Sequence, residues 1–311
     1  MVIPTRDRWA LLERNGLRAA LAQEDVELEV IVVDDGSTTV GLSEAANGLD
    51  PRARVIRHDV PLGLGRARNA GIEEAAGTWI AFLDDDDLWS PRKLRLQLDA
   101  AAKAGFAYAG AVWVDTELRL LRSYPPPDPA ALATELLRWN VLWGGASNVI
   151  AKASVLRELG GFDEQLHQLA DWDLWLRLAA SARGALVDEP LVAMLVHRES
   201  MLLVDERDVF LELDRLEEKH RGARERAAVG LDRARFARWA AAGHLRAGRR
   251  RVAARTYLRG THAPANLLRA AAVVLGPAAF AAVSARRSSF PRALASGERA
   301  AARPAWLELY G

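Results

Sequence analysis

Short runs of β-branched and apolar residues alternate with stretches of helical periodicity through the first part of the chain. Val2-Ile3-Pro4 precedes a helical spacing over 9–22, and Leu28-Glu29-Val30-Ile31-Val32-Val33 then stops at Asp34-Asp35-Gly36-Ser37. Arg54-Val55-Ile56-Arg57-His58, a glycine-punctuated helical stretch over 65–76 and Thr78-Trp79-Ile80-Ala81-Phe82-Leu83 complete a βαβαβ rhythm. That rhythm predicts a parallel sheet covered by helices, and ligands of such sheets sit beyond the carboxyl ends of the strands. Asp34-Asp35 and the run Asp84-Asp85-Asp86-Asp87 fall at those ends, so two acidic clusters are aimed at one crevice.

Over 106–189 the pattern mixes two strand-like pieces, Phe106-Ala107-Tyr108 and Val112-Trp113-Val114, with helices. Tyr124-Pro125-Pro126-Pro127-Asp128-Pro129 breaks regular structure and reads as a loop. Leu169, Trp172, Leu176 and Ala179 share one face of a predicted helix and would be core. From 205 onward almost everything has helical spacing and is rich in Ala, Leu and Arg, with 288–304 expected to be a flexible tail. The expected organisation is two regions, 1–205 and 206–311.

Composition narrows the function classes. Half of the 311 residues are hydrophobic, which excludes wholesale disorder, and the lack of cysteine excludes a disulfide framework, a thiolate nucleophile and Cys-ligated zinc. A cysteine-free chain fits a reducing cytoplasm. No secretory signal pattern follows Met1, and the apolar stretch 270–285 is interrupted by Gly276-Pro277 and shorter than the ~20 residues a membrane span needs. The net charge of +1 hides a segregation: residues 221–311 hold 18 arginines against 4 acids, whereas the first 220 hold 24 basic and 37 acidic side chains. An acidic body carries a basic extension.

Four consecutive aspartates repel one another, and nothing basic lies close after them in sequence before Arg92. Hard oxygen ligands after a strand suit Mg²⁺ or Mn²⁺ held by one or two carboxylates plus substrate phosphates. The plainer alternative is a solvated acidic turn capping a helix that begins near Pro91. Asp34-Asp35-Gly36-Ser37 likewise reads as a ligand-facing turn or as a strand end with a cap at Ser37. Gly63-Leu64-Gly65-Arg66-Ala67-Arg68-Asn69 offers backbone amides and arginines to a phosphate without being a Walker loop or a dinucleotide fingerprint. Asp171, near a helix start, suits either chemistry or the helix dipole.

Six motifs appear in order: Val2-Ile3-Pro4-Thr5, Val32-Val33-Asp34-Asp35-Gly36-Ser37-Thr38, Gly65-Arg66-Ala67-Arg68-Asn69-Ala70-Gly71, Phe82-Leu83-Asp84-Asp85-Asp86-Asp87-Leu88-Trp89, Gly161-Phe162-Asp163-Glu164 and Asp171-Trp172-Asp173-Leu174-Trp175-Leu176-Arg177. Together, over roughly residues 1–205, they resemble a family 2 glycosyltransferase. The resemblance implies an α/β GT-A (Rossmann-like) fold, a mostly parallel central sheet flanked by helices, here with a helical C-terminal extension. It implies inverting, metal-dependent transfer from a nucleotide-diphosphate sugar, of UDP or dTDP type, to a hydroxyl of a glycan or lipid-linked acceptor in cell-surface polysaccharide synthesis. By the same resemblance Asp35 bonds the nucleobase with Thr5 and Arg6 lining its pocket. Arg68 serves the phosphates, and Asp84 and Asp85 reach ribose or sugar. Asp86 holds Mg²⁺ or Mn²⁺ in a D-X-D arrangement, and Asp171 is the general base. His197 is either a second ligand near the diphosphate or an ordinary histidine after a strand.

Four positions depart from the family pattern. Ala170 stands where an acid usually precedes the base, Leu195 where many relatives have Arg, Arg6 where Tyr is common, and Met1 close to a strand that relatives usually precede with several more residues. Two other readings follow: a catalytically degenerate nucleotide-sugar binder, and a sugar nucleotidyltransferase, for which Pro4-Thr5-Arg6-Asp7-Arg8 supplies no Gly-rich loop. Arg246, Arg249-Arg250-Arg251, Arg255 and Arg259 form either a solvated helical face or a peripheral contact with anionic lipid at the inner face of the cell membrane. Nucleic acid is not expected, because no recognition motif accompanies the charge.

Overall fold

Val30-Ile31-Val32-Val33-Asp34 is buried at every position, as a strand covered on both faces must be. It is β2 (Val30–Asp34) of a parallel sheet with β1 (Val2–Thr5) on one side and β3 (Ala53–Arg57) on the other. Val2 also bridges Phe82 in parallel, and the Leu83 amide donates to the Val2 carbonyl (3.0 Å), so the chain after β4 (Trp79–Ala81) runs beside β1. Thr5, Asp34 and Asp84 therefore leave neighbouring strands at the same edge, and the predicted βαβαβ start is present. The structure is a computed structural model that describes residues 1–38, 50–197, 208–259, 263–285 and 302–311.

A second, mixed sheet has the order β4-β8-β6-β9-β5, built from β5 (Leu88–Trp89), β6 (Phe106–Val114), β8 (Ile150–Lys152) and β9 (Gly184–Leu195), with β7 (Leu120–Tyr124) also on β6. Only β6 and β9 pair in parallel here. The two strand-like pieces read separately over 106–114 are one strand. Gly110 breaks the sequence pattern because a side chain there would sit 3.0 Å from the Glu189 carbonyl of β9.

Helices cover the sheets. The predicted helix over 9–22 contains a π turn, Glu13–Leu17, whose Gly16 amide donates to the Asp85 carbonyl (3.3 Å). Such insertions recur at functional sites. The helix Ala170–Ser181 is buried more fully than one apolar face predicts, since Leu174 and Trp175 are enclosed along with Trp172 and Leu176. In the helix Leu64–Glu74, a side chain on Gly71 would begin 2.2 Å from Val2 Cγ1. Gly71→Ala is expected to cost about 1–3 kcal/mol by overpacking, read from the denaturation midpoint.

The described chain forms two compact units, 1–136 with 140–196 and 302–311, and 137–139 with 197–301. The last ten residues thus belong with the sheets rather than with the helical region. A 3₁₀ helix, Ala305–Tyr310, buries Leu307 beside Leu88, Val112 and Ala193. Tyr310 Oη donates to the Trp89 carbonyl (2.7 Å), and Arg303 Nε to the Leu118 carbonyl (3.0 Å). Of the expected flexible tail, Pro304 is buried and Arg303 is bonded to Leu118 though exposed, and 288–301 lie outside the described residues. The second unit is helical, with Ala241, Ala253, Ala254, Tyr257, Ala270 and Val273 in its core. Among the described residues no helix is long and apolar enough to cross a membrane.

Candidate active site

The four aspartates after β4 alternate in exposure. Asp85 and Asp87 are buried, whereas Asp84 and Asp86 are partly open. Thr5 Oγ1 donates to Asp85 Oδ2 (2.7 Å), and Arg8 binds the same carboxylate through Nε (3.2 Å) and Nη2. Arg8 Nη1 also reaches Asp86 Oδ2 (3.1 Å). Burial pushes Asp85 up to about 7, against the pull of Arg8. Burial, then Asp86 and Asp84, also raise Asp87 well above the usual carboxylate value, although Ser147 Oγ donates to it (2.6 Å). The Asp84 amide in turn donates to Ser147 Oγ (3.0 Å). The run has basic neighbours after all. They come from distant positions, so sequence proximity to Arg92 did not show them.

Asp35 sits at the end of β2, its amide donating to the Thr5 carbonyl (3.0 Å). Its carboxylate accepts from the Leu62 amide (2.8 Å) and the Gly63 amide (2.8 Å), and lies 2.8 Å from His58 Nδ1. Burial alone would raise its pKa, but the bonds from His58, Leu62 and Gly63 outweigh that and hold it below the usual carboxylate value. These contacts use three of the about four acceptor positions of a carboxylate. Asp35 thereby holds the loop that enters the Leu64–Glu74 helix over Gly36, where a side chain would begin 2.6 Å from Pro61 N. Thr5 joins the two acidic clusters, its carbonyl facing Asp35 and its hydroxyl Asp85.

Arg68, buried on the Leu64–Glu74 helix, donates to Asp84 Oδ1 (2.5 Å) and lies over the Phe162 ring (5.1 Å). Its buried Nε has no hydrogen-bond partner among the described residues. Asp171 opens the Ala170–Ser181 helix opposite this pair, and its Oδ2 is 3.6 Å from where a side chain on Gly145 would begin. Burial raises the Asp171 pKa to about 6, with Arg68 lowering it and Asp84 raising it. Asn69, next to Arg68, holds both backbone groups of Phe162, donating to the carbonyl (3.0 Å) and accepting from the amide (2.7 Å). Arg177 donates to the Gly161 carbonyl (2.7 Å) and to Asp173 (2.8 Å). The phosphate-type loop, the Gly161-Phe162 turn and the Asp171 helix are thus one hydrogen-bonded assembly.

Within the first unit, Thr5, Asp84, Asp85, Asp86, Arg68 and Asp171 come together around one edge. Arg6 is exposed and its Nε lies 3.8 Å from Asp7 Oδ2. His197 falls in the second unit, and Ser200 lies outside the described residues. Sequence reading missed Arg8, His58 and Ser147. Arg8 follows β1 at the edge where the acidic run lies, which is the one signal it offered.

The model of the family described as glycosyl transferase family 2 matches residues 1–159. The chain belongs to this family. Among curated relatives, the succinoglycan biosynthesis protein ExoO of Rhizobium meliloti is 34% identical over 193 residues, 58% of this chain and 55% of that protein. An uncharacterized protein of Mycobacterium tuberculosis, MT1568, is 33% identical over 192 residues, 57% of this chain and 60% of the relative. The chain therefore spans little more than half the length of these relatives. A crystal structure of Staphylococcus aureus TarS 1–349 in complex with UDP-GlcNAc aligns with 94% of this chain and 73% of that one, at 16% identity and a TM-score of 0.51, a likeness of fold. Asp84 and Asp86 keep partly open carboxylates, each paired with an arginine, Arg68 and Arg8, and among the described residues no group of three His, Asp or Glu side chains is placed to hold a metal ion.

Proposed function

We propose that this chain transfers a glycosyl group, with inversion, from a UDP- or dTDP-sugar to a hydroxyl of a glycan or lipid-linked acceptor in polysaccharide synthesis. The observation that carries the reading is Asp171, its pKa raised to about 6 by burial, facing the Arg68–Asp84 pair. A base of that pKa is ionised at neutral pH yet basic enough to share a proton in a transition state. The succinoglycan biosynthesis role for which the ExoO relative is named supports the class, and the UDP-GlcNAc of the TarS structure supports the donor.

In this reading Asp171 takes the acceptor proton as the hydroxyl oxygen bonds to the anomeric carbon. The bond from that carbon to the diphosphate breaks, and its electron pair leaves with the nucleoside diphosphate. Arg68 receives phosphate charge, and its unpartnered Nε supplies a donor for it. Thr5, Arg6 and Asp35 bind the base end, with one acceptor position of Asp35 remaining for it. Asp84 serves ribose and sugar, whereas Asp85, enclosed and bound by Thr5 and Arg8, holds the run in place instead of reaching ligand as the resemblance implied. Asp86 would hold Mg²⁺ or Mn²⁺, which would supply Lewis-acid stabilisation of the leaving diphosphate.

Calorimetric titration with uridine, thymidine and guanosine diphosphates, with Mn²⁺ and with EDTA, tests the donor site. Uridine or thymidine diphosphate is expected to bind more tightly with Mn²⁺. Failure of every nucleotide to show metal-enhanced binding sinks the assignment.

A further inference from the structure

The helix Pro264–Leu275 in the second unit is turned inside out. Its buried side carries Asn266, Ala270, Ala272 and Val273, with the Asn266 amide donating to the Ala234 carbonyl (3.1 Å). Its exposed arc holds the larger apolar side chains: Leu267 is 46% exposed, Leu268 51%, Val274 75% and Leu275 79%, with Ala271 exposed between them. The spacing i, i+1, i+4, i+7, i+8 makes these one stripe. Beyond Gly276 the helix Pro277–Ala285 adds exposed Ala278, Ala281 and Ala282. A surface helix of a globular unit ordinarily shows polar residues outward, and a contiguous exposed apolar patch marks an interaction site.

Charge identifies what the patch meets. From Arg233 to Ala285 the sequence has ten arginines and no Asp or Glu. Arg250 is exposed and donates to the Val273 carbonyl (2.8 Å), which puts a guanidinium beside Val274 and Leu275. Arg269 lies on the same helix, and Arg246, Arg251 and Arg255 are exposed on the two helices before it. A second copy of this face would bring like charge against like, whereas an anionic lipid surface meets both features. Basic, apolar-faced helices of this kind lie in the headgroup plane.

We propose that the exposed face of residues 264–282 docks on anionic bilayers, with Leu267, Leu268, Val274 and Leu275 entering the headgroup–acyl boundary and the surrounding arginines meeting lipid phosphates. The inference stands apart from the donor chemistry, because its readout involves no transfer. The 311-residue chain is expected to co-sediment with phosphatidylglycerol-containing vesicles and not with phosphatidylcholine alone, and to be released as salt rises to about 0.5 M. Leu268→Glu with Leu275→Glu is expected to weaken binding about tenfold or more with an unchanged circular dichroism spectrum. Arg251→Glu with Arg255→Glu should weaken it independently, and Leu121→Glu, at an exposed site on β7, should not. No sedimentation with anionic vesicles, equal binding to neutral ones, or undiminished binding by the double leucine variant overturns the proposal. So does a self-association that the leucine variant abolishes, which assigns the face to a second copy.

Discussion

Asp171→Asn lowers the rate of glycosyl transfer by about 10²–10⁴, the range for loss of a general base, while donor affinity stays within error. Asparagine keeps the shape and the bond from the Trp172 amide to Oδ1 (2.7 Å) but cannot take the acceptor proton. The same carboxyl predicts the pH profile. Its pKa is raised to about 6, so kcat/KM should fall as pH drops through that value and the acid limb should vanish in the variant. The measurement is initial rate against pH, beside titration of the variant with nucleoside diphosphate. Retained turnover removes Asp171 as the base, and lost donor binding makes its role structural.

Arg8→Ala is expected to be the most destabilising single change around the site. It leaves Asp85, which has no exposed surface, without the guanidinium that grips it, and stranding a buried charge costs about 3–5 kcal/mol. That corresponds to a Tm loss on the order of 10 °C. The pH dependence has a definite sign. Burial already raises the folded carboxyl to about 7 from an ordinary 3.8, so the folded state takes up its proton first as pH falls. The variant should therefore regain stability relative to the parent between about pH 8 and 5, where its carboxyl becomes neutral. Asp85→Asn in the Arg8→Ala background should restore much of the loss at pH 8. A Tm unchanged by Arg8→Ala would show that Thr5 and solvent suffice for Asp85.

The strand-rich first part of the chain was legible because buried parallel strands leave continuous apolar runs that end in turn residues. The motif carboxylates were legible for the same reason, since they mark where those runs stop. Contacts that depend on tertiary approach were not. Arg8 is separated from Asp85 by 77 positions and Ser147 from Asp87 by 60, and nothing local announces either. The packed segment 302–311 follows an Ala- and Arg-rich stretch whose composition resembles a tail. Its Trp306 and Tyr310 carry no periodic signal, yet they bond to the Pro190 and Trp89 carbonyls. The inverted helix at 264–275 was readable as helix from its spacing, but which side faced outward depended on its neighbours.

The enclosed and open carboxylates of Asp84-Asp85-Asp86-Asp87 are sorted by a single turn, which makes the site sensitive to the length of the run as well as to its charge. Inserting or deleting one aspartate would scarcely alter composition or net charge. Because the run is a turn closed by the Asp87 amide on the Asp84 carbonyl (3.2 Å), an added or lost residue would open it and draw carboxylates away from Arg8, Thr5 and Ser147. Length variants of this run are thus expected to be more damaging than any single Asp→Asn change within it.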